Sequence, residues 1–412
     1  MIFRQLVLRS FSKLKHGTLE IVLPDAKRRL YGGLYEGLDV EIRIRKEDFF
    51  RRCVLFGAIG FAESYMAGEW ETTDLTKVIA WFILNSGDSD ALEKPQSGGT
   101  GVFNILNIIN RAIHRRRPNS LEKSRDNIRD HYDLGNDFFR LWLDPTMTYS
   151  SGYFDAPETS LEAAQVRKYD VICRKLHLSP SDEVLEIGSG WGGFSIHAAR
   201  HYGCKITTVT ISEEQFAEAT ARIREAGLAD RIEILLADYR TIRGRFDKVV
   251  SIEMLEAVGE RYVDRYFAKI HEVLKPHGLL AIQAILCPDR QYRVLRDGVD
   301  FIQKHIFPGS LLMSNDRITA ALMASGDLHL LDYEDMAPHY ARTLRIWREN
   351  FEGRLDEVRA MGFDEGFIRK WRYYFCYCEA AFGTRHITVA QAVYSRPDNT
   401  AIASPVYNIF QP

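Results

Sequence analysis

From Asp182 onward the chain alternates short apolar, β-branched runs with amphipathic stretches, and this alternation constrains the fold more than any other feature. Strands are expected at Glu183–Ile187, Lys205–Thr210, Ile232–Leu236, Lys248–Ile252 and Leu279–Ala284, each short enough for a buried strand. Helices fill the gaps, notably Glu213–Ala226 and Val263–Leu274, with Gly227 and Lys275-Pro276 as stop signals. Repeated strand–helix units predict an α/β fold with a mostly parallel, doubly wound sheet, whose ligand sites lie at the strands' carboxyl ends. After Pro288 the pattern turns helical, which reads as insertions covering the sheet's active edge.

That region occupies about half of a 412-residue chain, so roughly two or three domains are expected in all. With 54 Lys+Arg against 56 Asp+Glu, the net charge of −2 gives no global attraction to nucleic acid, and none is expected as a partner. No apolar run approaches the roughly 18 residues of a membrane span. The six cysteines (Cys53, Cys173, Cys204, Cys287, Cys376 and Cys378) form no Cys-x-x-Cys pair, which predicts neither a disulfide framework nor a metal site. The first residues lack a secretory leader's apolar core, so a cytoplasmic protein is the expectation.

The N-terminus nonetheless has amphipathic character. Ile2, Phe3, Leu6, Val7, Phe11 and Leu14 recur at helical spacing, and Arg4, Arg9, Lys13 and Lys15 meet no acidic residue before Glu20. Such a segment suits a helix lying on an anionic membrane surface, or else one packed on its own domain with a solvated basic edge. Strand-like runs follow at Leu19–Leu23 and Val40–Ile44, then a helical stretch ending near Asn85. Residues 86–101, SGDSDALEKPQSGGTG, read as a linker. A second basic amphipathic helix is expected after it, with Val102, Ile105, Leu106, Ile109 and Ile113 on one stripe and Arg115, Arg116 and Arg117 at its end. The division is therefore 1–90, 91–120 and 121–412.

The first strand of the alternating region runs into LEIGSGWGGF, residues 185–194. Gly188, Gly190 and Gly193 satisfy G-x-G-x-x-G, a loop in which glycines let the backbone turn tightly and approach a ligand at a helix start. Taken alone the match also fits a nicotinamide dinucleotide. Two details favour S-adenosylmethionine. Glu186 precedes the first glycine by two residues, where a carboxylate can reach a cationic methionine moiety, and the second strand ends Val209-Thr210-Ile211-Ser212 without an acid for an NAD ribose. After the third strand, Asp238 is placed to accept from an adenine amino group, with Tyr239 available to stack.

Several segments together resemble the cyclopropane fatty acid synthase family: HYDLGNDFFRLWLDPTMTYSSGYF (131–154), VLEIGSGWGG (184–193), TISEEQ (210–215), SIEMLEAVG (251–259), DFIQKHIFPG (300–309), HYARTLRIW (339–347) and WRYYFCYCEAAF (371–382). FGAIGFAESYMAGEW (56–70) is similar to the family's small N-terminal domain, which serves dimerisation and membrane contact. The resemblance implies a Rossmann-like class I methyltransferase sheet with helical lid insertions. It implies methyl transfer from S-adenosylmethionine to a cis double bond in a membrane phospholipid's acyl chain. It also implies a homodimer at the inner face of the cytoplasmic membrane, and a bound bicarbonate that removes the final proton.

Carried over by residue, the cofactor set is Tyr149, Ser150, Glu186, Gly188, Ser189, Gly190, Trp191, Gly192, Gly193, Thr210, Ile211, Ser212, Gln215, Asp238 and Tyr239. The anion-holding Glu falls on Glu256, the Tyr on Tyr340, and the C-terminal Cys on Cys378, which by its own residue type reads as one more small packing residue. Three positions depart from the pattern. Ser151 stands for a cysteine, Ala257 for a histidine, and Gln283 for the anion-contacting histidine of the fifth strand. A Gln amide donates a hydrogen bond but carries no charge and shuttles no proton, which opens the fate of the carbocation between ring closure and a methyl-branched, unsaturated chain. A methyltransferase of another lipid, a nicotinamide-dependent oxidoreductase and a non-catalytic lipid-binding relative are the competing readings.

Overall fold

The computed structural model describes residues 2–86, 134–400 and 402. The expected linker beyond Ser86, the basic helix after it, both domain boundaries and His131 lie outside these. The described chain forms two compact units.

One unit gathers residues 2–86, 293–309 and 337–387. It begins with α1 (Ile2–Phe11), β1 (His16–Val22), β2 (Arg28–Gly32), β3 (Tyr35–Ile44), α2 (Asp48–Met66), β4 (Trp70–Glu71) and α3 (Leu75–Ser86). The four strands form one sheet in the order β2-β1-β3-β4. Alternate residues of β1 and β3 (Leu19, Ile21, Ile42 and Ile44) are buried, as are Phe49, Phe50, Val78 and Trp81 of α2 and α3. This alternation is the period-two pattern of a sheet with one face on a core. In α1, Val7 and Phe11 are buried, but Ile2, Phe3 and Leu6 stay 73%, 37% and 46% exposed. Arg4 is not a solvated basic edge: its guanidinium pairs with Asp25 and Glu47, each at 3.2 Å. Those acids lie beyond the segment, so local sequence could not pair them. Two long helices, Ala337–Glu352 and Glu365–Gly383, complete the unit.

The other unit gathers residues 134–292, 310–336 and 388–402 as described. Its elements are α4 (Leu161–Lys175), β5 (Glu183–Ile187), α5 (Gly193–Tyr202), β6 (Lys205–Thr210), α6 (Glu213–Glu225), β7 (Ile232–Leu236), β8 (Phe246–Ile252), α7 (Val263–Val273), β9 (Leu274–Leu286), α8 (Asn315–Ser325), β10 (His329–Asp335) and β11 (Thr388–Ser395), with short helices between. Seven strands make one sheet in the order β10-β11-β9-β8-β5-β6-β7. The pairs β5–β6, β5–β8, β6–β7 and β8–β9 are parallel, and β11 runs antiparallel to both β9 and β10. The fold is the expected doubly wound α/β sheet.

Its local logic is visible in α6. Ser212 caps the helix by accepting from the Gln215 N–H at 3.2 Å, Glu213 and Glu214 fill the first turn, Arg222 and Arg224 the last, and Gly227 follows at φ +68°. Each choice satisfies a helix end or its dipole. Two outcomes differ from expectation. Strand β9 begins at Leu274 and takes in Lys275-Pro276, so the proline ends α7 by starting a strand. The antiparallel strands β10 and β11 also went unread, because β10 is largely exposed and β11 is separated from it by a long, mostly helical stretch.

Strand order decides where a ligand goes. From β5 the chain moves outward through β6 and β7, then returns to the other flank of β5 for β8. The crevice between the carboxyl ends of β5 and β8 is the topological switch point. Two segments leave from it: the glycine loop after β5, and residues 253–257 after β8.

Candidate active site

The glycine loop is built by backbone conformations that only glycine takes readily. Gly188, Gly190 and Gly192 have φ of +94°, +49° and +85°. A Cβ on Gly190 would meet nothing within 4 Å, whereas one on Gly193 would run into the Tyr169 hydroxyl. Space thus stands open beside Gly190, whereas that beside Gly193 is filled by the protein's own packing. The Gly188 and Ser189 N–H groups both donate to Val209 O at 3.0 Å, and the Ser189 hydroxyl donates to Gly190 O. Trp191 is buried, with its indole N–H on Asn136 Oδ1 at 2.8 Å. Tyr149 packs at a tilt on Phe139 and edge-on to Trp142, at ring distances of 5.6 and 5.2 Å.

Glu186 ends β5 in the interior, 2% exposed. Its Oε2 accepts from Ser195 Oγ at 2.5 Å and Thr208 Oγ1 at 2.6 Å. Burial pushes its pKa up to about 7 against these two hydroxyls and the charge of Lys168. Lys168 is itself fully buried, its Nζ donating to Ser150 Oγ at 2.7 Å. Burial lowers the lysine, while Glu253, Asp144 and Glu186 hold it up. Sequence reasoning missed this lysine. It lies on the inward stripe of α4 with Leu161, Ala164 and Ile172, and a charge on an apolar stripe was the available signal.

At the end of β6, Thr210 Oγ1 donates to Gln215 Oε1 at 2.9 Å and accepts from the Ser212 N–H at 3.1 Å, with Ile211 half-buried between them. After β7, Asp238 Oδ1 accepts from the N–H and Nε of Arg240, and its Oδ2 from Nη2 at 2.6 Å. Arg240, also unread in the sequence, therefore orients Asp238, and a carboxylate retains lone pairs for a further donor. Tyr239 packs edge-on against Tyr266 at 5.3 Å.

After β8 two carboxylates come together with the residues that depart from the family pattern. Glu253 has φ +49°, a conformation that costs a non-glycine residue about 1–3 kcal/mol. Its Oε1 accepts from the Ser151 N–H at 2.9 Å and from Gln283 Nε2 at 2.7 Å. Gln283 is fixed in turn by Gln391 Nε2, which donates to its Oε1 at 3.1 Å. Glu256 Oε1 accepts from the Ile285 N–H at 2.5 Å, while its Oε2 is buried without a hydrogen-bond partner among the described residues. Burial, helped by the neighbouring Glu253, pushes Glu256 up to about 8.

A family model described as mycolic acid cyclopropane synthetase matches residues 119–392. The chain belongs to this family. It is 40% identical over 365 residues to the tuberculostearic acid methyltransferase UfaA1 of Mycobacterium tuberculosis, covering 84% of this chain and 81% of that one. The cyclopropane-fatty-acyl-phospholipid synthase of Escherichia coli K12 is 35% identical over 362 residues, covering 86% and 88%. Among solved structures, the mycolic acid cyclopropane synthase CmaA1 complexed with S-adenosylhomocysteine (SAH) and CTAB superposes with a TM-score of 0.62 at 28% identity, covering 66% of this chain and 98% of that one. The protein is an S-adenosylmethionine-dependent enzyme that methylates lipid acyl chains, by cyclopropanation or methyl branching.

As a family member it carries Tyr340 and Cys378 in the first unit. Tyr340 is buried, stacked on Phe382 at 4.5 Å and edge-on to Trp347 at 6.0 Å. Cys378 sits in the helix Glu365–Gly383, where burial, with Asp300 and Cys376 nearby, pushes its thiol well above the ordinary range. A thiol held protonated is a poor nucleophile. Cys378→Ala is accordingly expected to keep turnover within about threefold of wild type, since it deletes a small packing group and no thiolate. A loss of about 100-fold in a folded variant would restore Cys378 to the catalytic group.

Proposed function

We propose that this enzyme transfers a methyl group to the cis double bond of an unsaturated acyl chain in a membrane phospholipid, and that its product is a methyl-branched chain retaining an unsaturation. The open cradle at Gly190, the carboxylate of Glu186 and the Thr210–Gln215 pair fit the cofactor's methionine and ribose groups. S-adenosylmethionine supplies an electrophilic methyl on a sulfonium. The alkene is a weak nucleophile, so the protein's part is to hold both partners in line and keep water out. Glu186, Ser189 and Trp191, all buried, line that loop. Asp238 and Tyr239 are the adenine-side residues of this reading.

The observation that carries the product assignment is the neutral Gln283 at the end of β9, locked between Glu253 and Gln391. No imidazolium stands there to organise proton removal from the new methyl group. The test uses S-adenosylmethionine with a fully deuterated methyl and vesicles of unsaturated phospholipid. Proton loss from the chain leaves the methyl fully labelled and is the expected outcome. Ring closure discards one deuterium and would make the enzyme a cyclopropane synthase. No product on either route would reject the phospholipid as substrate.

Membrane contact and dimerisation belong to the same proposal. The exposed Ile2, Phe3 and Leu6 of α1 stand beside exposed Arg9, Lys13 and Lys15, the composition of an interfacial helix. No described helix is long and apolar enough to cross a membrane. Binding is expected to rise steeply with the anionic lipid content of vesicles, at about 1 kcal/mol per nearby basic residue, and to weaken with salt. Co-sedimentation that is equal on zwitterionic and anionic vesicles would refute it.

A further inference from the structure

Methyl transfer to an alkene leaves a cation on the neighbouring carbon, and some base must then take a proton. In the family resemblance that base is an exogenous bicarbonate, seated in part by the group at position 283. Here that donor is spent. Gln283 Nε2 donates to Glu253 Oε1 at 2.7 Å, and the Ser151 N–H donates to the same oxygen at 2.9 Å. Ser151 and Gln283 are two of the three positions at which the chain departs from the family motif. The side chain of Gln283 and the backbone N–H of Ser151 thus converge on one internal carboxylate.

We infer that the carboxylate of Glu253 occupies the seat of the exogenous anion and is itself the base that ends the reaction. This rests on the acyl-chain methylation proposed above and names the residue that completes it. The geometry is built for that purpose at a cost. Glu253 is held at φ +49°, directly beyond the carboxyl end of β8, by its own N–H on Gln283 O at 2.7 Å and by both side-chain bonds on Oε1. A residue in this backbone region persists only where its surroundings enforce it, and such residues gather at functional sites. Glu256, three residues on, is the poorer candidate. One oxygen holds the Ile285 N–H, and its carboxyl, pushed up to about 8, is protonated at neutral pH. A further anion placed here would face Glu253 as a like charge in a buried site, which disfavours it strongly.

The step balances without any added reactant. The π electrons of the alkene form the new C–C bond as the C–S bond of the sulfonium breaks. Glu253 then accepts a proton, and the freed C–H electron pair becomes a C=C bond in the chain. The carboxyl returns its proton to water before the next cycle. Lys168, buried against Ser150, carries a positive charge that interacts favourably with Glu253.

The informative variant is Glu253→Gly, because glycine adopts φ +49° without strain and the fold is kept. Wild-type turnover on unsaturated phospholipid vesicles is expected to be the same in bicarbonate-free buffer and with bicarbonate added. Glu253→Gly should lose about 100-fold or more and recover in part with bicarbonate. Glu253→Gln, which keeps the volume, should lose as much and not recover. A second readout is independent of turnover: 13C-bicarbonate titrated into the cofactor-free protein should broaden with Glu253→Gly and not with wild type. Bicarbonate-dependent turnover of wild type, bicarbonate binding by wild type, or a fully active Glu253→Gly each overturns the inference. Should wild type prove inactive on phospholipid, the function proposed above fails, and the binding comparison still decides the role of Glu253.

Discussion

Glu186→Gln should weaken cofactor binding roughly 30-fold or more in a protein that stays folded. The side chain ends the central strand β5 beneath the open glycine cradle, and both of its hydrogen bonds fall on Oε2, from Ser195 and Thr208. Glutamine keeps the volume and one acceptor, so the packing around those hydroxyls survives. What disappears is a negative charge in a low-dielectric site, which in the proposed function faces the cationic cofactor and which also balances buried Lys168. Removing one member of a desolvated charge pair costs about 2–5 kcal/mol, which raises the dissociation constant roughly 30-fold or more. Calorimetric titration with S-adenosylmethionine, alongside circular dichroism, reads both halves of the expectation. Unchanged affinity in the folded variant would mean that Glu186 serves the core and not the ligand.

The second large effect concerns pH and Glu256. Its carboxyl, ordinarily ionising near 4.5, is pushed up to about 8 by burial and by Glu253. The folded state therefore keeps a proton that the unfolded chain gives up. Stability from this group is fully present below about 4.5 and is lost as pH rises through about 8. Glu256→Gln removes the titration. Relative to wild type, the variant is expected to gain on the order of 3 kcal/mol between pH 5 and pH 8.5, at about 1.4 kcal/mol per pH unit of the window. Urea midpoints of the cofactor-free protein at the two pH values measure it. A wild-type–variant difference that does not move with pH would place the Glu256 carboxylate in water.

Much of the catalytic unit was legible because its signals are local. The ends of β5, β6 and β7 follow from runs of apolar and β-branched residues bounded by breakers, and their observed limits coincide with those expected. The start of α6 was legible for a similar reason: Ser212 and the Glu pair after it act within one turn. The glycine loop is equally local, since a positive φ at Gly188, Gly190 and Gly192 is a property of the residue itself. Glu256 was legible through the family resemblance, and its place just past a strand end agrees with it. Glu253 lies directly past the same strand end, but its contacts with Ser151 and Gln283 are long-range and leave no local signal.

What the sequence by itself determined, then, is the alternation of strands and helices from β5 to β9, the glycine turn after β5 and the class of chemistry, all set by interactions a few residues apart or by motifs read as a block. Tertiary structure alone decided the partners. It paired Arg4 with Asp25 and Glu47, buried Lys168 against Ser150, and joined Ser151, Glu253, Gln283 and Gln391 across more than 200 residues of chain. The same holds for charge. Whether Glu186 or Glu256 is a solvated carboxylate or a buried acid depends on how much water the packed sheet excludes, and no residue's own letter carries that information.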